Sequence, residues 1–287
     1  MTDSILRTVR DRLEAAGALR GVAPDRITAG ERTILVELTA PTRSESAPFG
    51  SEGVEDEADS RALELAGLAH RPRGGDRLRS SDAPTVTLEE LLEPLDGSGS
   101  GGPGATESLA RAVATLNALS TPFLEWRDGD PMALLEPSVE TIATVGLFRP
   151  AFRKFDDVDV RVIERTDVGA VSTPPGVRLS TFDPDDAERA MAGAAVVFVT
   201  GSAFVYGGAS RYLELAPASA TVVVAGADVV AGSAVDDPRR VREAIRDDAC
   251  GTDLHDSGVR KVYAATDHPS GLRLDLGTGA NSTPIDR

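Results

Sequence analysis

The second half of the chain alternates between two textures. Short runs rich in Val, Ile, Thr and Phe occupy 141–148, 160–164, 177–182, 195–200, 221–225 and 259–264, and helix-forming stretches lie at 150–155, 185–192, 207–215 and 238–246. Two of the runs, Val196-Val197-Phe198-Val199 and Val222-Val223-Val224, are apolar throughout. A strand with one wet face alternates apolar and polar residues, whereas a continuous apolar run suits a strand covered on both faces. Parallel strands need a crossover, usually a helix, so this alternation predicts a parallel sheet flanked by helices. The expected fold class is α/β: a Rossmann-like parallel-sheet domain at 139–287, with a frayed tail from Asp267, preceded by a smaller α+β domain at 1–138.

The first half carries weaker signals. Leu6, Val9 and Leu13 recur at helical spacing behind Asp3 or Ser4 as a cap. Residues 26–39 read as a hairpin that turns at Ala29-Gly30 and returns through Ile34-Leu35-Val36. Residues 41–84 are polar and rich in Gly and Pro, a long insertion in which Ala62-Leu63-Glu64-Leu65 can supply a short element. Thr87 caps a helix from Leu88 to Leu95, and 97–104 is a Gly/Ser/Pro loop. The strongest helix of this half spans 106–120, with Leu109, Ala112, Val113 and Leu116 as its buried face. Asn117 interrupts that apolar stretch. A buried amide must find partners, so it is either a structural bracket or a group aimed at a ligand, and the bracket is the commoner case.

Charge excludes one class of partner. Forty-six acidic residues face 30 basic ones in 287, a formal net charge of −16. Such a field repels phosphate backbones, so no nucleic-acid partner is expected. Lys154 and Lys261 are the two lysines, and arginine supplies the other 28 cations. An acidic, lysine-poor surface fits a halophilic protein, because molar salt shortens the Debye length to about 3 Å and quenches self-repulsion. A GC-rich genome gives a similar bias without any such adaptation. Cys250 is the single cysteine, so no internal disulfide is expected. Asp3, Asp11 and Glu14 break up the N-terminal apolar residues, and no apolar run approaches the roughly 18 residues of a membrane span. The expectation is a cytoplasmic protein with no membrane partner; a homo-oligomer stays open.

In an open α/β sheet, ligands sit beyond the carboxyl ends of the strands, where the connections diverge. The first strand ends in Gly146-Leu147-Phe148-Arg149-Pro150. Proline at a helix start leaves free N–H groups that favour an anion, although the G-x-G-x-x-G fingerprint is missing. Glu164 ends the second strand, 18 residues after Gly146, about where a dinucleotide fold holds a ribose hydroxyl. Thr200-Gly201-Ser202 ends the fourth strand with two hydroxyls that can cradle a carboxylate or phosphate, or merely cap a helix. Asp228 follows the fifth strand. His70, His255 and His268 are scattered, so no metal-binding residues are expected. Adjacent pairs such as Asp185-Asp186 read as solvated surface. No G-x-S-x-G elbow or Walker A loop is present, and Cys250 beside Asp247 and Asp248 reads as packing.

The run Glu107-Ser-Leu-Ala-Arg-Ala-Val-Ala-Thr-Leu-Asn117, followed by Val145-Gly146-Leu-Phe-Arg-Pro150, Val160-Arg-Val-Ile-Glu164-Arg and Val197-Phe-Val-Thr200-Gly201-Ser202, resembles the uncharacterised family labelled putative heavy-metal chelation domain. In that family a Rossmann-like half follows an enolase N-terminal-like half. The resemblance covers roughly 105–245 and implies a ligand site between the halves. Asn117 would enter from the first, with Gly146, Glu164 and Thr200-Gly201-Ser202 from the second. Two departures remove polar groups from the rim of that pocket. Val205-Tyr206-Gly207-Gly208 stands where the family tends to carry an Asn/Thr pair. Ala225-Gly226-Ala227-Asp228 stands in place of a Gly-Pro-x-Thr-Pro turn. Three functions remain: a binding protein for a small anionic or metal-chelating ligand, an enzyme using NAD or S-adenosylmethionine with Glu164 on the ribose, or a non-catalytic interaction protein with a degenerate site. The sequence names no cofactor and leaves open whether a reaction is catalysed.

Overall fold

The structure is a computed structural model that describes residues 4–41, 62–72, 81–82, 85–97, 104–155, 157–225, 235–247, 254, 256–260 and 262–263. Helix α1 (Ser4–Ala15) precedes strands β1 (Ala23–Ala29), β2 (Thr33–Ala40), β3 (Leu63–His70) and β4 (Ser81–Asp82). Helices α2 (Leu88–Leu92) and α3 (Ala105–Ser120) follow, then strand β5 (Arg127–Asp128). The second half runs β6 (Thr141–Val145), α4 (Ala151–Lys154), β7 (Asp159–Ile163), β8 (Arg178–Phe182), α5 (Ala187–Met191), β9 (Val196–Thr200), α6 (Ser202–Tyr206), α7 (Ala209–Leu215), β10 (Thr221–Ala225), α8 (Pro238–Arg246) and β11 (Val262–Tyr263).

The α/β class read from the sequence is the observed one. Strands β10, β9, β6, β7 and β8 lie in that order as a five-stranded sheet, and every pairing is parallel. Alternate residues feed two cores. Ala143, Val145, Ile163, Val197 and Val199 face one side. Ile142, Val160, Val162, Val196 and Phe198 face the other, where Phe152 and Phe155 of the α4 region close over them. Both faces are covered, which is why these strands read as apolar runs.

The first sheet has the order β3-β2-β1-β4 and is antiparallel. Its strand β2 is buried along almost its whole length. Ile34, Val36 and Leu38 face α3, while Leu35 joins Leu68, Val241 and Ile245 beneath α8. The 41–84 insertion therefore contributes a full eight-residue strand, β3, rather than a short element. Thr87 caps α2 as expected, and Glu90 completes a capping box.

Helix α3 joins the two sheets. It starts at Ala105 behind Gly104, one residue before the expected start, and every residue from Ala112 to Ser120 is buried. Leu109, expected on the buried face, is half-buried. A helix with one apolar stripe covers one layer; this one is buried all round because a sheet lies against one side and α6 against another. Its alanines permit the close approach. A Cβ on Gly67 of β3 would come within 2.1 Å of the Ala114 carbonyl oxygen. One continuous core thus runs from α1 through β2 and α3 to the inner face of the parallel sheet.

Two elements of the second half return to the first. Helix α8 has the predicted bounds, yet it covers the outer face of the first sheet, where Arg242 pairs with Glu37. Gly30 makes room for it, since a Cβ there would lie 2.4 Å from the Ile245 carbonyl oxygen. The expected sixth strand, 259–264, does not extend the parallel sheet. Val259 bridges to Val235 and packs under α8, and β11 pairs antiparallel with β5. The Gly258 carbonyl accepts from the Asp236 amide at the start of α8, which anchors this segment beside the first sheet.

Candidate functional site

The connections leaving the parallel sheet diverge at its centre. After β6 the chain turns to α4 on one face, and after β9 it turns to α6 and α7 on the other. Neighbouring strands with diverging connections define the switch point, where open α/β sheets form a ligand crevice. Register sets what lies there. Val145 pairs with Ile163 on one side and Val199 on the other, so Glu164, Gly146 and Thr200 stand abreast at the three strand ends. Strands are about 4.8 Å apart, so Glu164 and Thr200 flank an opening about 10 Å wide with Gly146 at its floor.

Gly146 adopts φ 82°, a conformation that favours glycine, and a Cβ there would lie 2.6 Å from Thr200 Oγ1. Its N–H donates to the Ile163 carbonyl. The Thr200 hydroxyl donates to the Val145 carbonyl at 2.9 Å and also lies 2.9 Å from Ser202 Oγ. A carbonyl only accepts, so the one Thr200 proton is committed to it and Ser202 is the donor to Thr200. Both hydroxyl protons are therefore in use, and the end of this relay presents the lone pairs of Ser202. The Gly201 N–H donates to the Ala225 carbonyl, continuing the ladder with β10. Thr200-Gly201-Ser202 is less a free turn than a strand end running directly into α6, which begins at Ser202.

Other expected residues fall differently. Glu164 is half-buried, and its Oε1 accepts from the Arg165 N–H at 3.0 Å. Arg149 is exposed at the crevice rim. The helix after it has four residues, and the amides of Ala151, Phe152 and Arg153 already donate to Phe148, Arg149 and Pro150. That helix start offers an anion none of these three N–H groups, contrary to the expectation from Pro150. Asn117 is fully buried, and its Nδ2 donates to the Leu68 carbonyl at 2.7 Å, bracketing α3 to β3. It is sealed inside the first sheet's core and is not among the side chains at the strand ends. Asp228, Cys250, His255 and His268 lie outside the described residues.

The structure adds groups that the sequence reading passed over. The Arg165 guanidinium carbon lies 3.8 Å from the centroid of the Tyr206 ring. Tyr206 Oη is 3.3 Å from His70 Nε2, and the two rings are tilted with centroids 5.6 Å apart. Tyr212 is buried in α7. Burial raises its hydroxyl's pKa, opposed by Arg211 and Arg165 and reinforced by Glu164 and Asp185. Arg165 had a signal, since it directly follows Glu164 at a strand end. His70 had none, because its strand lay within an insertion that no pattern placed.

Among the described residues, no group of three or more His, Cys, Asp or Glu side chains is positioned to hold a metal ion. The described histidine, His70, faces an aromatic hydroxyl. These residues do not fit direct coordination of a heavy metal. No helix among the described residues is long and apolar enough to cross a membrane.

Comparison with known proteins agrees with this architecture. A protein of unknown function from Pyrococcus horikoshii superposes with a TM-score of 0.61 at 13% identity, covering 91% of this chain and 99% of its own. A second, from Desulfitobacterium hafniense, gives 0.55 at 12% identity, covering 90% and 99%. Both of those proteins are described as members of the DUF364 family. At such identities the likeness shows the fold alone, and it extends across both sheets. No curated protein matches the chain. Residues 130–264 match the family model of DUF364, described as "Putative heavy-metal chelation". That span contains the whole parallel sheet and its crevice, and over it the chain is similar to the DUF364 family.

Proposed function

We propose that the crevice at the ends of β6, β7 and β9 binds a small ligand bearing an oxyanion, metal chelates included. The observation that carries this reading is the register that sets Glu164, Gly146 and Thr200 abreast at the switch point. Gly146 keeps the floor free of a side chain, and Arg149 and Arg165 supply positive charge in a chain that is strongly acidic elsewhere. The family description adds the link to metals. A chelated metal fits better than a bare ion, because a chelate presents carboxylate or phosphate oxygens to arginine, whereas the described residues hold no ligand set. The protein works in the cytoplasm, in high salt, where its charge of −16 is screened.

A second reading has its own observation. Glu164 follows the second parallel strand beside Gly146, the place of a ribose-binding acid in nucleotide folds. It makes the protein an enzyme using NAD or S-adenosylmethionine.

Thermal unfolding in molar KCl separates the readings, with inorganic phosphate, NAD, S-adenosylmethionine, free nickel or zinc ions, and nickel citrate as probes. A ligand at 100 times its dissociation constant stabilises by about 2.7 kcal/mol, a rise of several degrees. A rise with phosphate or nickel citrate supports the first reading. A rise with a nucleotide that Glu164→Ala abolishes supports the second. No rise with any probe defeats both and leaves an interaction protein.

A further inference from the structure

We propose that Arg165 and Tyr206 form a strap across the mouth of the crevice, and that a ligand enters by drawing Arg165 off the ring onto its own oxyanion. The proposal rests on the reading that the crevice is the binding place. Arg165 follows β7, and Tyr206 ends α6, the helix leaving β9. Strand β6 lies between β7 and β9. A contact between these residues therefore joins the connections that leave the two strands flanking β6. The guanidinium carbon sits 3.8 Å from the ring centroid, a close cation–π stack.

Tyr206 is held from a second direction. Its hydroxyl meets Nε2 of His70, the last residue of β3 in the other sheet. The strap is thus fixed at the Tyr206 end by the first sheet and tethered at the Arg165 end by an exposed loop. Directly after Tyr206 stand Gly207 and Gly208 at φ 84° and 98°, which break the helix geometry between α6 and α7.

Chemistry gives the strap its direction of exchange. The Ser202 proton goes to Thr200 and the Thr200 proton to the Val145 carbonyl, so the hydroxyls at the crevice hold no spare donor. An incoming oxyanion needs donors from elsewhere. Arg165 has five N–H donors, and a bidentate pair of charge-assisted hydrogen bonds to an oxyanion outweighs a single stack on the half-buried Tyr206 ring.

Hydrogen–deuterium exchange on the full chain, without ligand and in molar KCl, tests this. Arg165→Ala is expected to speed exchange about fivefold at 146–149 and 201–208, the factor set by loss of one cation–π contact, with β2 unchanged. Arg165→Lys, which keeps a cation, should restore part of the protection. Wild-type rates at both segments in Arg165→Ala, or equal acceleration in β2, would overturn the strap. Unchanged exchange beside a thermal shift with phosphate would refute the strap alone. Faster exchange with no shift for any probe would instead refute the binding reading.

Discussion

The two sheets share one helix and treat it in opposite ways. Against the first sheet, α3 is in backbone contact: the Gly67 site leaves 2.1 Å between a hypothetical Cβ and the Ala114 carbonyl, and Asn117 is bonded across the joint. On the other side of that sheet α8 closes equally tightly at Gly30. The parallel sheet is covered on both faces, and its connections diverge after β6 and β9. There the glycine, Gly146, is crowded by the side chain of Thr200 and not by backbone. Both regions use glycine to bring segments together. In the first the neighbour is backbone; in the second it is the Thr200 side chain, held by its bonds to the Val145 carbonyl and Ser202.

The largest test of that contrast is Gly67→Ala. The methyl must push a helix off a sheet, so we expect a loss of at least about 4 kcal/mol in denaturant unfolding. Gly146→Ala meets a side chain and a left-handed φ, and should cost less, about 1–3 kcal/mol, while impairing any ligand-induced thermal shift. Equal losses would erase the distinction.

Glu107→Ala probes the buried end of the same joint. Glu107, 4% exposed, pairs with Arg71 at 2.9 Å, and Arg71 also donates to the Gly30 carbonyl. Leaving that guanidinium buried without its carboxylate should cost about 3 kcal/mol in unfolding measurements. Asn117→Ala removes the hydrogen bond to the Leu68 carbonyl and should cost about 1 kcal/mol, with ligand-induced shifts preserved. A ligand-specific loss in a stable Asn117→Ala variant would return that residue to the binding site.

The smallest expected effect depends on pH. Burial raises the Glu37 carboxyl above its ordinary range, against the pull of Arg242. A folded-state value above the unfolded one stabilises below the unfolded value, and the benefit is lost as pH rises through the folded value. Asp96 has the opposite sign. The hydrogen bond from Arg10 lowers it, so its contribution is present above the unfolded value and lost as pH falls through the folded one. Glu37→Gln should remove the first component from a pH series of denaturation midpoints and leave the second.

Much of the parallel sheet was legible because its strands are self-describing: Val196–Thr200 is an apolar run buried on both faces, and Thr221–Ala225 is an apolar run half-buried at the sheet edge. Strand-end residues followed from the same pattern, so Gly146, Glu164 and Thr200 could be named before their register was known. Strand β3 was obscure because its Leu65, Gly67 and Ala69 side owes its burial to α3, a partner distant in sequence. The role of Asn117 was ambiguous for a related reason: the partner of a buried amide, here a carbonyl 49 residues away, leaves no local trace.

By itself, then, the sequence determined the α/β class, the five strands of the parallel sheet, the bounds of α8, the acidic arginine-rich composition and the positions at the strand ends. Each of these depends on local periodicity or on composition, which a chain carries regardless of its neighbours. Tertiary structure alone decided that α8 and β11 return to the first half, that α3 packs against both the first sheet and α6, and that His70 and Arg165 both meet Tyr206. Those are contacts between segments far apart in the chain, chosen by which apolar faces and buried charges can be satisfied together once the sheets have formed.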